Sequence, residues 1–301
     1  MVVRQLTEGQ EVDAVLLVRE LRDDVVVLGD RSGTVTAPLR AGDAGAYVRG
    51  SAVRVSGRFC GGGIDVRALR PALPEEIDYA SLLDGPPRDA GQMEDDLRDL
   101  LATIQNPHLC ALLDGVLGQE SPTWPQFRDA PAAKRYHQAY RHGLLEHSLT
   151  VAQSVSAISA TFPGIDRDVA VCGALLHDIG KLEAYTADPL AIDLTDLGKL
   201  QGEIVLGYFR VRRLIEDLPG FPPALVESVL HIILSHHGAL EHGSPVVPCT
   251  REATLVHMID NLGGRLGSFD RLEKELPDGS RWSAYDRALG GGAYFGATKA
   301  A

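Results

Sequence analysis

Residues 174–181 read Ala-Leu-Leu-His-Asp-Ile-Gly-Lys. The stretch before His177 is almost wholly apolar, so the segment reads as the end of a buried helix, with Gly180 and Lys181 as stop signals. An imidazole and a carboxylate side by side at such an end can face one cation. A buried carboxylate left unpaired costs several kcal/mol, so Asp178 calls for a metal or a strong partner. Taken alone, the His-Asp pair also fits an ordinary helix C-cap.

Its company separates the two readings. The chain holds 10 histidines, and all but His108 fall between residues 137 and 257. His147 ends the run HGLLEH, and Asp260 lies in the helical run EATLVHMIDNL. His from one helix, His-Asp from a second and Asp from a third can enclose a cation inside a helical bundle. His236 and His237, at the end of another apolar helix, add two potential ligands.

Outward from this core, helical patterns are expected near 93–118, 133–160, 166–185, 198–216, 222–237, 250–263 and 281–289. Residues 71–92 contain four prolines, and 73–92 read as a linker with little regular structure. Residues 1–72 read differently. Apolar-rich runs at 11–18, 24–28, 34–38, 52–58 and 64–69 alternate with Asp, Gly and Ser clusters, a strand-and-turn pattern. Five short strands suit a small closed barrel, of which the OB-fold is the commonest five-stranded type. The expected organisation is a small all-β OB-like barrel at 1–72, a linker at 73–92, an all-α domain at 93–290 and a loosely ordered tail at 291–301.

Bulk properties narrow the function. Hydrophobic residues make up 45% of the chain and charged residues 23%, ordinary for a globular protein. The sequence shows neither a membrane-length apolar run nor the features of a signal peptide, and no membrane partner is expected. Cys60, Cys110, Cys172 and Cys249 form no CxxC pair, which fits a reducing, cytoplasmic setting. The net charge of −12 argues against nucleic acid at first sight, but residues 1–72 carry about +1 and the remainder about −13. Metal cations bound in an acidic domain can invert the local field and admit phosphates.

The order H…HD…D, with Gly-Lys following His-Asp, resembles the HD superfamily of metal-dependent phosphohydrolases. The runs PAAKRYHQAYRHGLLEH (131–147), LLHDIGK (175–181) and SHHGALEHGSPVVPCTREATLVHMIDNL (235–262) look like the YhaM-like 3′–5′ exoribonucleases. That resemblance spans most of the chain and implies an N-terminal OB-fold, an HD domain and exonuclease activity. Two positions depart from the family pattern. Gln138 stands where a second His usually follows His137, and Gln201-Gly202-Glu203-Ile204 replaces the common Leu-Gly-His-Ile. Glu203 can still ligate a hard cation through oxygen.

On this reading His147, His177, Asp178 and Asp260 hold a first metal, with Asp178 bridging. Glu203, His236 and His237 are candidates for a second. One or two divalent ions per chain are expected. Mixed imidazole and carboxylate ligands favour Mn2+, with Fe, Co, Ni and Mg as alternatives. Asp178 and Lys181 are the candidate catalytic residues, Lys181 holding a phosphate or neutralising the helix end. Lys134, Arg135, His137, Arg141 and His142 form the local candidate for gripping a phosphate backbone, against a solvated helix face. His257 lies on the helical face of Asp260, whereas His231 and His242 read as structural or exposed. In the barrel, Arg19, Arg22, Arg31, Arg54, Arg58 and Arg67 supply charge for single-stranded RNA, but Tyr47 and Phe59 are the only aromatic rings there. Contact within a homo-oligomer is the alternative role for the barrel. The expected partner is single-stranded RNA, with single-stranded DNA less favoured. Two competing functions stay open: hydrolysis of a nucleotide or cyclic dinucleotide, and a non-catalytic RNA-binding or regulatory protein.

Overall fold

A computed structural model describes residues 3–22, 24–39, 45–83, 85–134, 138–186, 188, 191–274, 276 and 279–296. The described residues divide into two compact units, Met1–Gly85 with Asp188–Ile192, and Pro86–Ala187 with Asp193–Ala301. No helix among them is long and apolar enough to cross a membrane.

In the first unit, β1 (Glu11–Leu21), β2 (Val25–Asp30), β3 (Gly33–Pro38), β4 (Ala52–Cys60) and β5 (Gly63–Pro71) close into a barrel in the order β1-β2-β3-β5-β4. Every pairing is antiparallel except β3 with β5, where Thr36 faces Gly63. This is an OB-like barrel. Alternate residues such as Val12, Leu16, Val26, Leu28, Val53, Val55 and Ile64 point inward and are buried. Asp30 fixes the β2–β3 turn, its carboxylate accepting from the backbone N–H of Ser32 at 2.7 Å and of Val3 at 2.8 Å. All five strands run a little beyond the expected apolar runs, because edge residues continue the ladder regardless of side-chain polarity.

The expected linker is not featureless. A 3₁₀ turn at Pro74–Glu76 and α1 (Tyr79–Leu82) follow the barrel, and Leu82 is buried with Leu17 and Ala52. Glu76 closes the turn by accepting from the N–H of Leu73 at 2.8 Å and from Arg70 and Arg54 at 2.6 and 2.9 Å. The barrel arginines are largely engaged within the barrel. Arg54 pairs with Asp13, Arg67 with Glu11 and Arg22 with Glu20, while Arg58 and Arg19 donate to backbone carbonyls.

The second unit is helical: α2 (Ala90–Ala102), α3 (Pro107–Leu117), α4 (Trp124–Asp129), α5 (Gly143–Ser159), α6 (Arg167–Leu176), α7 (Lys181–Ala184), α8 (Asp196–Gln201), α9 (Glu203–Glu216), α10 (Pro223–Ser235) and α11 (Arg251–Lys274). Side-chain caps start several of them. Asp89 accepts from the Gln92 N–H, Asn106 from His108, Asp166 from Val169 and Thr195 from Gly198. Helix α6 is buried from Val169 to Leu176 and packs against α5, α10 and α11, so it is the axis of the bundle.

Six of the seven expected helices differ. The segment 166–185 is interrupted by the His177–Gly180 turn between α6 and α7, 198–216 is broken at Gly202 between α8 and α9, and 250–263 continues to Lys274. The segment 93–118 is split by the Asn106 cap into α2 and α3. Helix α5 begins at Gly143 rather than near 133, because Gln138 and His142 take left-handed φ values of 60° and 67°. Residues 281–289 are not helical. Trp282 bridges Tyr294 and Asp286 bridges Gly291, while Phe295 N–H donates to the Arg281 carbonyl at 2.8 Å. The start of the expected loose tail is therefore pinned, with Ala293 buried, and residues 297–301 lie outside those described.

Candidate metal centre

The bundle packing brings four elements onto one point. Helix α6 ends at Leu176, and the chain turns through His177-Asp178-Ile179-Gly180 before α7, with the Lys181 N–H donating to the Asp178 carbonyl at 3.0 Å. Two glycines allow the close approach. A Cβ on Gly173 would stand 2.3 Å from Ile232 Cδ1, so α10 lies directly against α6. A Cβ on Gly180 would stand 1.9 Å from the Glu203 carbonyl oxygen, so the start of α9 rests on the His-Asp turn. The Gly of the ALLHDIGK run thus carries Glu203 toward the cluster.

His147 Nε2 lies 3.1 Å from His177 Nε2, 3.2 Å from Asp178 Oδ2 and 3.1 Å from Asp260 Oδ1. His177 Nε2 lies 3.3 Å from Asp178 Oδ2 and 3.9 Å from Asp260 Oδ1. Donors roughly 2.1 Å from a shared cation stand about 3.0–3.4 Å from one another, and most of these separations match that spacing. His147, His177, Asp178 and His236 are buried.

The imidazole tautomers fit the same task. His177 Nδ1–H donates to the Ala174 carbonyl at 2.7 Å, His236 Nδ1–H to Ile233 at 2.8 Å and His237 Nδ1–H to His242 at 3.0 Å. His147 Nδ1 meets Gln138 Oε1 at 3.0 Å. A carbonyl oxygen can only accept, so a neutral ring keeps its Nε2 lone pair for the centre of the site, and His147 offers its own once a cation takes the place of the proton there.

Beyond the four-residue cluster, Asp178 Oδ1 and His236 Nε2 stand 3.6 Å apart. Both are buried without a hydrogen-bond partner among the described residues. His237 Nε2 lies 3.5 Å from Glu203 Oε1. His147, His177 and Asp178 form one group whose donor atoms converge within 4.8 Å, and His177, His236 and Asp260 form another. Orphaned, buried, metal-ligating atoms are what a site for a divalent ion requires, and the residues fit one. HD domains depend on metal, and this chain has His and Asp groups able to hold it.

The electrostatics are those of a cation site closed on itself. Burial pulls His147 toward neutrality, but the Asp178 and Asp260 carboxylates outweigh it and raise its pKa to about 9. Burial opposes ionisation of Asp178, yet Lys181, His177 and His147 hold its carboxyl well below the usual range. Burial likewise opposes ionisation of Asp260, which His147 and His177 keep low. For Glu203, burial is overcome by the His237 hydrogen bond and the Lys181 charge. Burial keeps His236 neutral.

Lys181 does not cap a long helix. Its Nζ donates to Asp178 Oδ2 at 2.7 Å from the first residue of α7. The expected phosphate grip is less coherent. Lys134 is ion-paired with Asp193 and Arg141 with Asp129 at 2.8 Å, while the His142 ring meets the Arg128 carbonyl at 2.8 Å. Arg135 and His137 lie outside the described residues. His257 supports the site from behind, its Nδ1–H donating to the His236 carbonyl at 2.7 Å. His231 accepts from the Cys249 N–H at 2.8 Å, and His108 stacks edgewise on Phe221.

Two residues near the cluster had no assigned role in the sequence reading. Gln138, buried at a left-handed φ, orients His147. Tyr185 lies beside Glu203, and its hydroxyl is pushed up to about 12 by burial and by Glu203. Neither sits in a helical period with a ligand, so no spacing points to them.

Comparison with known proteins agrees with this geometry. Residues 144–264 match the family model described as HD domain, a span that includes His147, His177, Asp178, Glu203, His236, His237 and Asp260. The chain is 28% identical over 287 residues to the 3′-5′ exoribonuclease YhaM of Bacillus subtilis (strain 168), covering 89% of this chain and 90% of that protein. It is also 28% identical over 287 residues to the YhaM of Geobacillus sp. (strain WCH70), covering 89% and 87%. No solved structure matches.

Proposed function

With an HD domain and YhaM-like sequence along most of the chain as premises, we propose that this protein is a metal-dependent 3′–5′ exoribonuclease acting on single-stranded RNA. The observation that carries the reading is the convergence of His147, His177, Asp178 and Asp260 on one point. Divalent cations supply a nucleophile at neutral pH and neutralise charge on the phosphoryl oxygens. His147, His177, Asp178 and Asp260 hold the first ion, and Glu203, His236 and His237 complete a second site next to it. The mixture of imidazole and carboxylate favours manganese.

Lys181 keeps Asp178 ionised and adds positive charge at the rim of the cluster, where a scissile phosphate must lie. Lys134 and Arg141 contribute backbone contacts by exchanging their carboxylate partners for phosphates. Such partly exposed ion pairs are worth only ~0–1 kcal/mol each, so the exchange is cheap. The four cysteines are free, which suits the reducing cytoplasm.

The test is incubation of purified protein with Mn2+ and single-stranded RNA labelled at either end, beside single-stranded DNA, mononucleotides and cyclic dinucleotides. RNA labelled at the 5′ end should shorten stepwise, and 3′-labelled RNA should release labelled mononucleotide first. Hydrolysis confined to the nucleotides would replace this reading with that of a small-phosphoester hydrolase. No hydrolysis with any metal would leave a binding protein.

A further inference from the structure

Helix α11 carries Asp260 on its inner side and an exposed apolar stripe on its outer side. Met258 is 60% exposed, Leu262 49%, Leu266 56% and Phe269 38%. At roughly 100° per residue, these four, with Leu255, Arg251 and Glu273, fall within an arc of about 80° centred on Leu262. An exposed apolar stripe of this length on a helix marks an interaction surface.

The order of residues along the stripe identifies the occupant. Counted outward from Leu262, Met258 and Leu266 are equidistant, as are Leu255 and Phe269, and Arg251 and Glu273. The stripe is thus a palindrome in chemistry, apolar throughout its middle and oppositely charged at its two ends. A surface of that kind is complementary to itself when turned end for end, which is the requirement of an isologous two-fold interface. The ends also differ in shape in a matching way. Beside Leu255 and Met258 lies an apolar cleft of about 760 Å³, lined further by Ile158, Phe162, Pro163 and Ile259. At the other end Phe269 presents an exposed ring packed edgewise on Phe295. One end offers a hollow, the other an aromatic knob. The two ends of the stripe carry opposite charges, Arg251 and Glu273, with Arg265 along one rim and Glu252 and Asp270 along the other.

We propose that α11 packs antiparallel against α11 of a second copy of this chain, about a two-fold axis through Leu262. Leu262 then meets the partner subunit's Leu262, Met258 meets the partner's Leu266, Phe269 enters the cleft beside the partner's Leu255, and Arg251 pairs with the partner's Glu273. The interface makes no use of the proposed metal ligands; Asp260, the one on this helix, faces the opposite way.

Light scattering and sedimentation of the full chain test this. The wild type should be at least a dimer, a multiple of 32.3 kDa. Leu262→Glu sets two carboxylates against each other on the axis and should halve the assembly mass, with native circular dichroism and unchanged metal content. Arg251→Glu and Glu273→Arg should each weaken association at least tenfold, and the double exchange should restore it. Restoration separates pairing across the axis from the local role of Arg251, which also donates to the Gly164 carbonyl at 3.1 Å. Leu262→Cys should cross-link between chains on mild oxidation, beyond the level of the parent with its native cysteines. A monomeric wild type overturns the proposal, as does an assembly that Leu262→Glu leaves intact or that the double exchange fails to restore.

Discussion

Asp178 Oδ1 and His236 Nε2 face each other at 3.6 Å, both buried and neither hydrogen-bonded among the described residues. The other oxygen of the same carboxylate is crowded, with Lys181 Nζ at 2.7 Å, His147 Nε2 at 3.2 Å and His177 Nε2 at 3.3 Å. With its Nδ1–H committed to the Ile233 carbonyl, His236 turns a lone pair toward a carboxylate oxygen. Two acceptors in that position repel, and each unsatisfied buried group costs about 1–3 kcal/mol. An electropositive group between them relieves the cost. Asp178 therefore addresses two places with its two oxygens, and the predictions about chemistry begin from it.

Asp178→Asn keeps the shape of the side chain and removes the charge shared by both places. RNA hydrolysis should fall at least roughly a thousandfold, equivalent to about 4 kcal/mol of barrier. Metal content should fall with it while circular dichroism stays native. Near-wild-type turnover in a properly folded variant would remove Asp178 from the centre.

Gln138→Leu tests the residue behind His147. Without the Oε1 acceptor, the His147 ring loses the partner that sets its tautomer and orientation. Loss of such a supporting hydrogen bond typically weakens metal binding by about 10–100-fold. Metal titration by calorimetry should show that loss, and excess metal should recover much of the activity. An unchanged affinity would mean that the α5 backbone alone positions the ring.

Much of this candidate site could be read from the sequence because its converging His and Asp residues sit at the ends or on the buried faces of strongly apolar helices. His177 and Asp178 follow eight consecutive buried residues, and His236 follows an equally apolar α10. The barrel was legible for a similar reason, since short apolar runs with buried residues such as Val12, Leu16, Val26, Leu28, Val53 and Val55 alternate with turn clusters. What escaped lies where the chain leaves regular structure. Gln138 reaches His147 only through a left-handed loop, and the late start of α5 follows from the same backbone turn. The packing of Leu82 on Leu17 and Ala52 was hidden because a four-residue helix among prolines has no period to read. The engaged state of the barrel arginines was equally invisible, since Asp13 and Arg54 are neighbours across strands, not along the chain.

Deleting residues 1–85, which removes the barrel together with the helix packed on it, should spare cleavage of a small chromogenic phosphodiester. All proposed metal ligands lie at or beyond His147. Cleavage of long RNA should weaken, and RNA affinity of the intact chain should fall with salt where phosphate contacts carry it. Equal loss on both substrates would make the barrel a folding or assembly element.

Glu76 links acid sensitivity to the barrel. Hydrogen bonds from Arg70 and the Leu73 N–H hold its carboxyl at about 2, below the ordinary value of 4.5. A depressed carboxylate contributes stability in full above about 4.5, and that contribution is lost as pH falls toward 2. Glu76→Gln should accelerate amide exchange in β4 and β5 at pH 7, after correction for intrinsic rates. The difference from wild type should shrink between pH 4.5 and 2. An identical difference at both ends of that range would show that the carboxylate charge is not what matters.

Glu203 decides whether the second place is built for a hard ion. It opens α9 at the turn where Gly202 takes a φ of 79°, and its side chain is only 19% exposed, 3.5 Å from His237. The backbone contact at Gly180 holds it over the His-Asp turn. A carboxylate there favours oxygen-loving cations more than an imidazole would. Glu203→His should therefore retain activity and move the metal optimum from Mn toward Co or Ni. Glu203→Ala should keep the ion held by His147, His177, Asp178 and Asp260 but slow turnover, because one charged arm of the clamp is gone. Metal analysis of the three proteins, with rates across Mn, Mg and Co, reads both effects. If all three bind one ion per chain and turn over at the same rate with the same metal preference, Glu203 is a bystander and the orphaned pair of Asp178 and His236 must be satisfied without it.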